Sequence, residues 1–109
     1  MKFIFVLFLF LSFSCFSQKG EFEHRKGFTT GDDIGVFKFE IKNGTVFISE
    51  EMEGYFNSFT EEIKMQSKTF STIEIYTQHN KYKCYFMFGR FFLRKVEVFP
   101  MIGDAFYYE

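Results

Sequence analysis

The residues of this chain that could support metal or nucleophilic chemistry are few and far apart. The only histidines are His24 and His79, and Cys84 is the one thiol that follows the first seventeen residues. A structural zinc site usually takes four ligands in paired spacing, which this set does not supply. Cys84 lies in an alternating aromatic stretch, and that setting is typical of a buried, unreactive thiol. The sequence therefore predicts no metal centre and no nucleophilic cysteine.

The acidic residues form neither a catalytic nor a calcium-binding pattern. Asp32 and Asp33 lie between two glycines, but a calcium loop needs more oxygen ligands at regular spacing. This segment is interpreted as a polar turn. The neighbours within Glu50-Glu51 and within Glu61-Glu62 would point to opposite faces of a strand, so neither pair can attack one bond. We expect no cofactor and no enzymatic activity.

Charged side chains beside aromatic rings are the remaining candidates for binding. Arg90, Arg94 and Lys95 lie in an aromatic-rich segment, where charges most simply protect a sticky hairpin from edge pairing. The alternative is a small anionic site beside aromatic rings. In that interpretation the contacts to a ligand or partner are Tyr85, Arg90 and Arg94.

The first seventeen residues have the three-part layout of a secretory signal peptide. Lys2 supplies a positive charge, an apolar run follows to Leu11, and small residues precede a cleavage position between Ser17 and Gln18. The apolar run is shorter than the roughly 20 residues of a membrane span. The alternatives are a lipoprotein acylated at Cys15 and a retained anchor helix. We expect a secreted or periplasmic bacterial protein with no transmembrane segment in the mature chain.

Composition bounds what the processed chain can be. Cleavage leaves 92 of the 109 residues, which is enough for one small domain. They carry 12 basic and 14 acidic side chains. This balance argues against a nucleic-acid partner and predicts no polybasic membrane patch. Fourteen phenylalanines and six tyrosines remain, and such enrichment favours strands. With Cys84 as the sole thiol, no intramolecular disulfide forms.

A β-hairpin over residues 36–49 is the clearest structural prediction. Asn43-Gly44 is the favoured pair for a two-residue type I′ turn. Closing that turn places Ile41 opposite Val46 and Phe39 opposite Ile48, with the apolar side chains on one face. Residues 18–34 are polar and rich in glycine, so we predict a flexible N-terminal arm there. A single β-rich domain then covers residues 35–109.

A second β region is predicted in the C-terminal half. A strand is expected near Ile73 and Ile75, and a second has four alternating residues on one face: Tyr82, Cys84, Phe86 and Phe88. A turn at Gly89-Arg90 would place Phe86 opposite Leu93. Arg94 and Lys95 break the alternation, which indicates a bulge or a solvent-facing flank. Pro100 ends that strand, and a short final strand is expected within residues 104–108.

Residues 50–68 fit two interpretations. Met52, Tyr55, Phe56 and Phe59 recur at helical spacing, yet Gly54 and the polar residues after it are poor helix formers. We favour strands with a turn around Gly54. The predicted fold is therefore mainly β, a small antiparallel meander or partly closed barrel. The alternative is an α+β fold with one helix around residues 50–65 packed on the sheet.

Gly35-Val36-Phe37 opens the first strong strand, and this pattern with the strand rhythm to Tyr108 resembles the lipocalin-like group of small ligand-binding barrels. Lipocalins have tryptophan where Phe37 stands, and a late arginine that Arg94 or Arg90 would represent. The resemblance implies that an apolar small molecule binds inside the sheet. Binding residues are not carried over.

Two functions follow from these observations. The preferred one is an exported, non-catalytic binding domain of the bacterial cell envelope that holds a small apolar ligand or an extended peptide. The alternative is a structural or interaction role, as an accessory or inhibitor subunit that uses an aromatic-rich face. A closed meander with a cavity of about 300 Å³ or more would favour the small ligand. A solid core with an exposed aromatic patch or an open edge strand would favour a protein partner.

Overall fold

The chain forms one antiparallel sheet in the computed structural model, which describes residues 18–27, 31–88 and 92–109. The strands in chain order are β1 Gln18–Gly27, β2 Gly31–Lys42, β3 Thr45–Met52, β4 Tyr55–Glu62, β5 Met65–Lys68, β6 Thr72–Tyr76, β7 Asn80–Met87, β8 Phe92–Pro100 and β9 Phe106–Tyr108. Across the sheet their order is β4-β3-β2-β1-β9-β8-β7-β6-β5. The described residues contain no helix, so the mainly β prediction is confirmed.

The hairpin predicted over residues 36–49 is present with the predicted register. Asn43 and Gly44 both have positive φ, at 53° and 71°, as a type I′ turn requires. Ile41 lies opposite Val46, and Phe39 lies opposite Ile48. Turn chemistry and hydrophobic alternation specify the same pairing here, so the sequence alone is enough to predict the register of this hairpin.

Residues 50–68 are strands, so the alternative with a helix around residues 50–65 is wrong. β3 continues to Met52, and a turn at Glu53-Gly54 leads into β4, with Gly54 at φ 74°. Phe59 lies opposite Ile48 and packs against the core. Pairing with the strongly specified β3 outweighs the helical spacing of the apolar residues, because the intervening Asn, Ser and Thr have little helix propensity.

The prediction of a flexible arm over residues 18–34 is wrong for the described part of that stretch. β1 covers Gln18–Gly27 and pairs with β2 on one side and β9 on the other. Phe22 is buried in the core. β1 joins the N-terminal and C-terminal halves of the sheet, and long-range pairing orders a segment whose own sequence is polar.

The sheet curls so that its inner face packs against itself, in the form of a half-barrel. The rings of Phe39 on β2 and Tyr82 on β7 lie 5.6 Å apart, although three strands separate β2 from β7 in the sheet. The buried residues form one cluster: Phe22, Phe37, Phe39, Ile41, Val46, Ile48, Ile73, Ile75, Tyr82, Cys84, Phe86, Leu93, Val96, Val98 and Tyr108. All lie after the predicted cleavage position, so residues 18–109 contain the whole described core. The predicted signal peptide, Ser17 and Cys15 lie outside the described residues.

Two irregularities change which side chains face inward. The pairing of β1 with β2 shifts between Phe22 and His24, and the pairing of β7 with β8 shifts between Tyr85 and Phe86. Arg94 is the extra residue of the second shift, so the predicted bulge is confirmed. The first shift places Arg25 on the inner face together with Phe22, three residues earlier.

The C-terminal half follows the prediction except near its turn. Phe86 lies opposite Leu93, β8 ends at Pro100, and β9 is the short final strand. The predicted turn at Gly89-Arg90 lies outside the described residues. Phe88 does not continue the buried alternation, because β7 ends at Met87 and Phe88, at φ 55°, is 85% exposed.

Candidate binding surfaces

A polar cluster lies at the inner face where β1, β2, β3 and β9 meet. Arg25 Nη1 donates to Glu50 Oε2 at 2.5 Å, and the Tyr108 hydroxyl donates to the same oxygen at 3.0 Å. Arg25 Nη2 and Nε donate to Asp33 Oδ2 at 2.9 Å and 3.2 Å. The guanidinium lies 5.8 Å from the centre of the Phe37 ring. Sequence reasoning missed this cluster, since Arg25 faces inward only because of the register shift in β1.

The cluster is arranged for structure rather than for chemistry. Burial lowers the pKa of Arg25, but its hydrogen bonds with Glu50 and Asp33 outweigh burial, and the net shift is upward. Burial, and next the charge of Glu50, raise the pKa of Tyr108. Arg25 therefore stays charged and Tyr108 stays protonated. Each group already has its partner, so the cluster fastens four strands together and presents no poised acid or base.

A cleft of about 300 Å³ opens beside this cluster. Its lining includes Arg25, Asp33, Asp104 and Phe106. The volume reaches the size expected of a small-ligand site, but three of the six lining residues are charged, which does not favour a purely apolar ligand. The interior of the half-barrel is filled by the aromatic core, with Phe39 and Tyr82 in contact across it.

The residues considered for metal or thiol chemistry are not brought together. Cys84 is fully buried, as predicted, and burial raises the pKa of its thiol. His79 is exposed, and His24 Nδ1 lies 3.0 Å from Asp32 Oδ1. Within the described ranges, no three His, Cys, Asp or Glu side chains are grouped so that they could hold a metal ion.

The outer face of β6 to β9 carries cations over aromatic rings, and we call it the cationic face. Its cations are Lys81, Lys83, Arg94 and Lys95, and its rings are those of Tyr76, Tyr85, Phe99 and Tyr107. Three of these cations lie 5.3 to 5.8 Å from the centre of the Tyr85 ring. The Tyr85 hydroxyl donates to Glu97, a bond that raises the Tyr85 pKa more than its burial does. The structure thus brings Tyr85 and Arg94 together, whereas Arg90 lies outside the described residues.

The sheet ends at β4 and at β5, and the two edges differ. β4 has eight residues, none of them buried, and neither a lysine nor a proline. β5 has four exposed residues, with Lys68 at its end and Lys64 just before its start. Short strands and charged side chains, lysines above all, are common protections of a sheet edge. β5 has both, whereas β4 carries charge only at its C-terminal end, in Glu61 and Glu62.

The turn before β4 determines which of its residues direct their backbone N–H and C=O groups to the free edge. Met52 and Tyr55 flank a two-residue loop and therefore form a hydrogen-bonded pair, and such pairs alternate along an antiparallel ladder. The odd-numbered residues of β4 thus bond to β3. The Ile63 N–H continues this parity by donating to the Gly44 carbonyl at 2.9 Å. The even-numbered residues direct their N–H and C=O groups away from β3, and these are Phe56, Ser58, Thr60 and Glu62.

The end of β4 is fixed to the other half of the sheet. Glu61 accepts hydrogen bonds from the Thr77 hydroxyl at 3.1 Å and from Asn80 Nδ2 at 2.9 Å. A cleft of about 190 Å³ lies beside this contact, lined in part by Thr60, Glu62 and His79. The edge is therefore held in place at its C-terminal end and remains open along Phe56, Ser58 and Thr60.

No family model, curated protein or solved structure matches this chain. The resemblance to the lipocalin-like group therefore stays a prediction. Within the part of the chain that the structure describes, no helix is long and apolar enough to span a bilayer.

Proposed function

We propose that this chain is an exported, non-catalytic binding domain whose strand β4 captures an extended segment of another protein by strand addition. The observation that carries the proposal is the long free edge of β4, which is uncharged from Tyr55 to Thr60. In strand addition, main-chain hydrogen bonds supply affinity, and pockets for alternate side chains supply specificity.

The length and composition of β4 favour this function. An exposed edge of eight residues without lysine or proline is an aggregation hazard, and natural proteins usually remove such edges. The same chain protects its other edge. A partner strand that covers β4 would explain why this edge is left exposed.

Exposed aromatic side chains beside the edge would contact the captured segment. Tyr55 and Phe56 begin β4 and are 47% and 67% exposed, and Phe47 on β3 is 40% exposed. Phe47 and Phe56 lie on the outer face, whereas Tyr55 lies on the inner face. A segment with alternating apolar residues would therefore find aromatic contacts on both faces of the extended sheet.

The small apolar ligand receives less support. The rings of Phe39 and Tyr82 are in contact across the core, and three of the six residues that line the cleft of about 300 Å³ beside Arg25 are charged. Location in the bacterial cell envelope is part of the proposal and depends on the signal pattern of residues 1–17.

Selection from a random peptide library tests the proposal. Residues 18–109 would be used as the target, and each enriched peptide would be measured against two variants at one position. Ser58→Pro removes an N–H at the free edge without touching the ladder to β3, and Ser58→Thr keeps that N–H.

We expect peptides with alternating apolar residues that bind the parent domain and Ser58→Thr alike, and bind Ser58→Pro at least about tenfold more weakly. Peptides that bind all three proteins equally would overturn the proposal. Failure to enrich any peptide would do so as well. The comparison of variants requires that Ser58→Pro unfold at the same urea concentration as the parent, so that weaker binding reports the lost N–H and not unfolding.

A further inference from the structure

We propose that one end of the sheet, with the adjoining cationic face, docks this domain on an anionic lipid surface. The inference does not rest on peptide capture by β4, because it concerns strands in the other half of the sheet. The occupant is a bilayer, which the apolar end, the cations beside it and the tyrosines between them would contact.

The apolar end consists of four large side chains that are exposed together. Their exposed fractions are 83% for Phe70, 41% for Met87, 85% for Phe88 and 55% for Phe92. They come from the β5–β6 turn and from the ends of β7 and β8. Phe92 lies opposite Met87, and the Phe86 N–H donates to the Ser71 carbonyl at 2.8 Å. The β5–β6 turn is therefore fastened beside the end of β7 and the start of β8, and the four apolar side chains share one end of the molecule.

The cationic face begins where the apolar end stops. Arg94 is two residues after Phe92, and Tyr85, whose ring it covers, is two residues before Met87. On strands β6 to β8 the four cations of this face exceed its two carboxylates, Glu74 and Glu97, whereas Glu21, Glu23 and Glu109 line a cleft with Phe92 and Arg94 at its border. The chain after residue 17 has the opposite balance, with two more acidic than basic residues. Folding thus gathers positive charge on these strands that the overall composition conceals.

The combination fits the boundary between headgroups and acyl chains. Tyrosine and lysine side chains have an apolar body and a polar tip, and they are favoured at membrane interfaces. Lys95 lies 4.4 Å from the centre of the Tyr107 ring, so its ammonium group is held at the outer surface of the sheet. Cations at the surface attract anionic lipids, while exposed phenylalanines enter the acyl boundary.

Co-sedimentation of residues 18–109 with vesicles tests the inference. One vesicle preparation contains phosphatidylglycerol and phosphatidylcholine in equal parts, and the other contains phosphatidylcholine alone. The apolar variant is Phe70→Ser with Phe92→Ser, and the cation variant is Arg94→Gln with Lys95→Gln. Matched controls change exposed residues in the other half of the sheet. These are Ile34→Ser, at a side chain that is 71% exposed, and the double variant Lys38→Gln with Lys42→Gln.

We expect binding to the phosphatidylglycerol vesicles only, weakened by added salt because the Debye length shortens. Each cation removed should weaken binding about fivefold. The apolar variant should weaken it about tenfold or more, and both controls should bind as the parent does. Absence of binding, or equal losses in variants and controls, would overturn the inference.

Sedimentation equilibrium without vesicles tests whether the apolar end contacts a second copy of the domain instead of a bilayer. If the parent domain self-associates and the apolar variant abolishes that association without changing vesicle binding, the apolar end contacts a second copy and the inference is wrong. Since Ser58 is unchanged in all these proteins, failure here leaves peptide capture by β4 unaffected.

Discussion

Arg25 on β1 donates a hydrogen bond of 2.5 Å to the buried carboxylate of Glu50 on β3, although β2 lies between these two strands in the sheet. The pair therefore spans the inner face across an intervening strand. Tyr108 on β9 donates to the same carboxylate, so groups from both halves of the curled sheet meet at one oxygen. This contact fixes the curl at the point where β1 joins the two halves.

Replacement of Glu50 by alanine should lower the free energy of unfolding by about 2–3 kcal/mol. The change leaves the Arg25 charge and the Tyr108 hydroxyl without their shared partner, and breaking a buried pair is costly. We place the loss below that of a fully buried pair because the Arg25 side chain is 26% exposed. Urea unfolding measures the change. Its neighbour Glu51 is exposed, and Glu51→Ala should stay within about 0.5 kcal/mol; equal effects of the two changes would contradict the account.

Tyr108→Phe should cost less than the loss of the carboxylate. The ring and its contacts with Phe37 and Phe106 remain, and only the hydrogen bond to Glu50 is removed. A hydrogen bond to a charged acceptor contributes about 1.5–3 kcal/mol, and Arg25 still pairs with Glu50, so we expect a loss near the lower end. Tyr107→Phe on the outer face is the matched control in the same denaturation experiment. A smaller loss for Tyr108→Phe than for Tyr107→Phe would argue against the cluster.

Gly35→Ala should destabilise the fold by about 1–3 kcal/mol, as forced overpacking does. A Cβ at this position would lie 2.3 Å from the Glu51 carbonyl oxygen, so β2 and β3 would have to separate locally. The control is Gly54→Asn, where the side chain meets open space and asparagine tolerates the positive φ. The midpoint of thermal unfolding should fall for the first variant and change little for the second. A neutral Gly35→Ala would show that the strands approach less closely.

Stability should fall as the pH rises above about 8. Burial raises the pKa of Cys84 in the folded state, so the thiol stays protonated there. The unfolded chain ionises near the ordinary value of about 8.5, which favours unfolding above that pH by up to about 1.4 kcal/mol per pH unit. Cys84→Val should remove this decline up to about pH 10, where unfolded tyrosine ionises. Parallel losses in parent and variant between about pH 8.5 and pH 10 would contradict the assignment.

Sequence reasoning succeeded where local turn chemistry and alternation agree. Asn43-Gly44 specifies its hairpin, and the break in alternation at Arg94 indicates the bulge. It failed for β1, whose polar residues are ordered by pairing on both sides rather than by any apolar pattern of their own. It also missed the bond from Arg25 to Glu50, because the register shift after Phe22 reverses which side chains face inward.

The edge position of β4 was harder to predict from the sequence than the fold class was. The residues of β4 were assigned to strands, but no pattern in Tyr55–Glu62 says that β4 is an edge. Edge position depends on the order of strands across the sheet, and that order depends on β1 pairing with β9. The outward direction of the Ser58 backbone follows only once the Met52–Tyr55 pair is known.

Amide hydrogen exchange with and without a library-selected peptide tests the central claim most directly. We predict new protection at the amides of Phe56, Ser58 and Thr60, with little change at Asn57 and Phe59, whose amides already bond to β3. That alternation is specific to strand addition at the free edge of β4. Protection confined to the cleft beside Arg25, or equal protection of odd and even residues along β4, would contradict the proposed function.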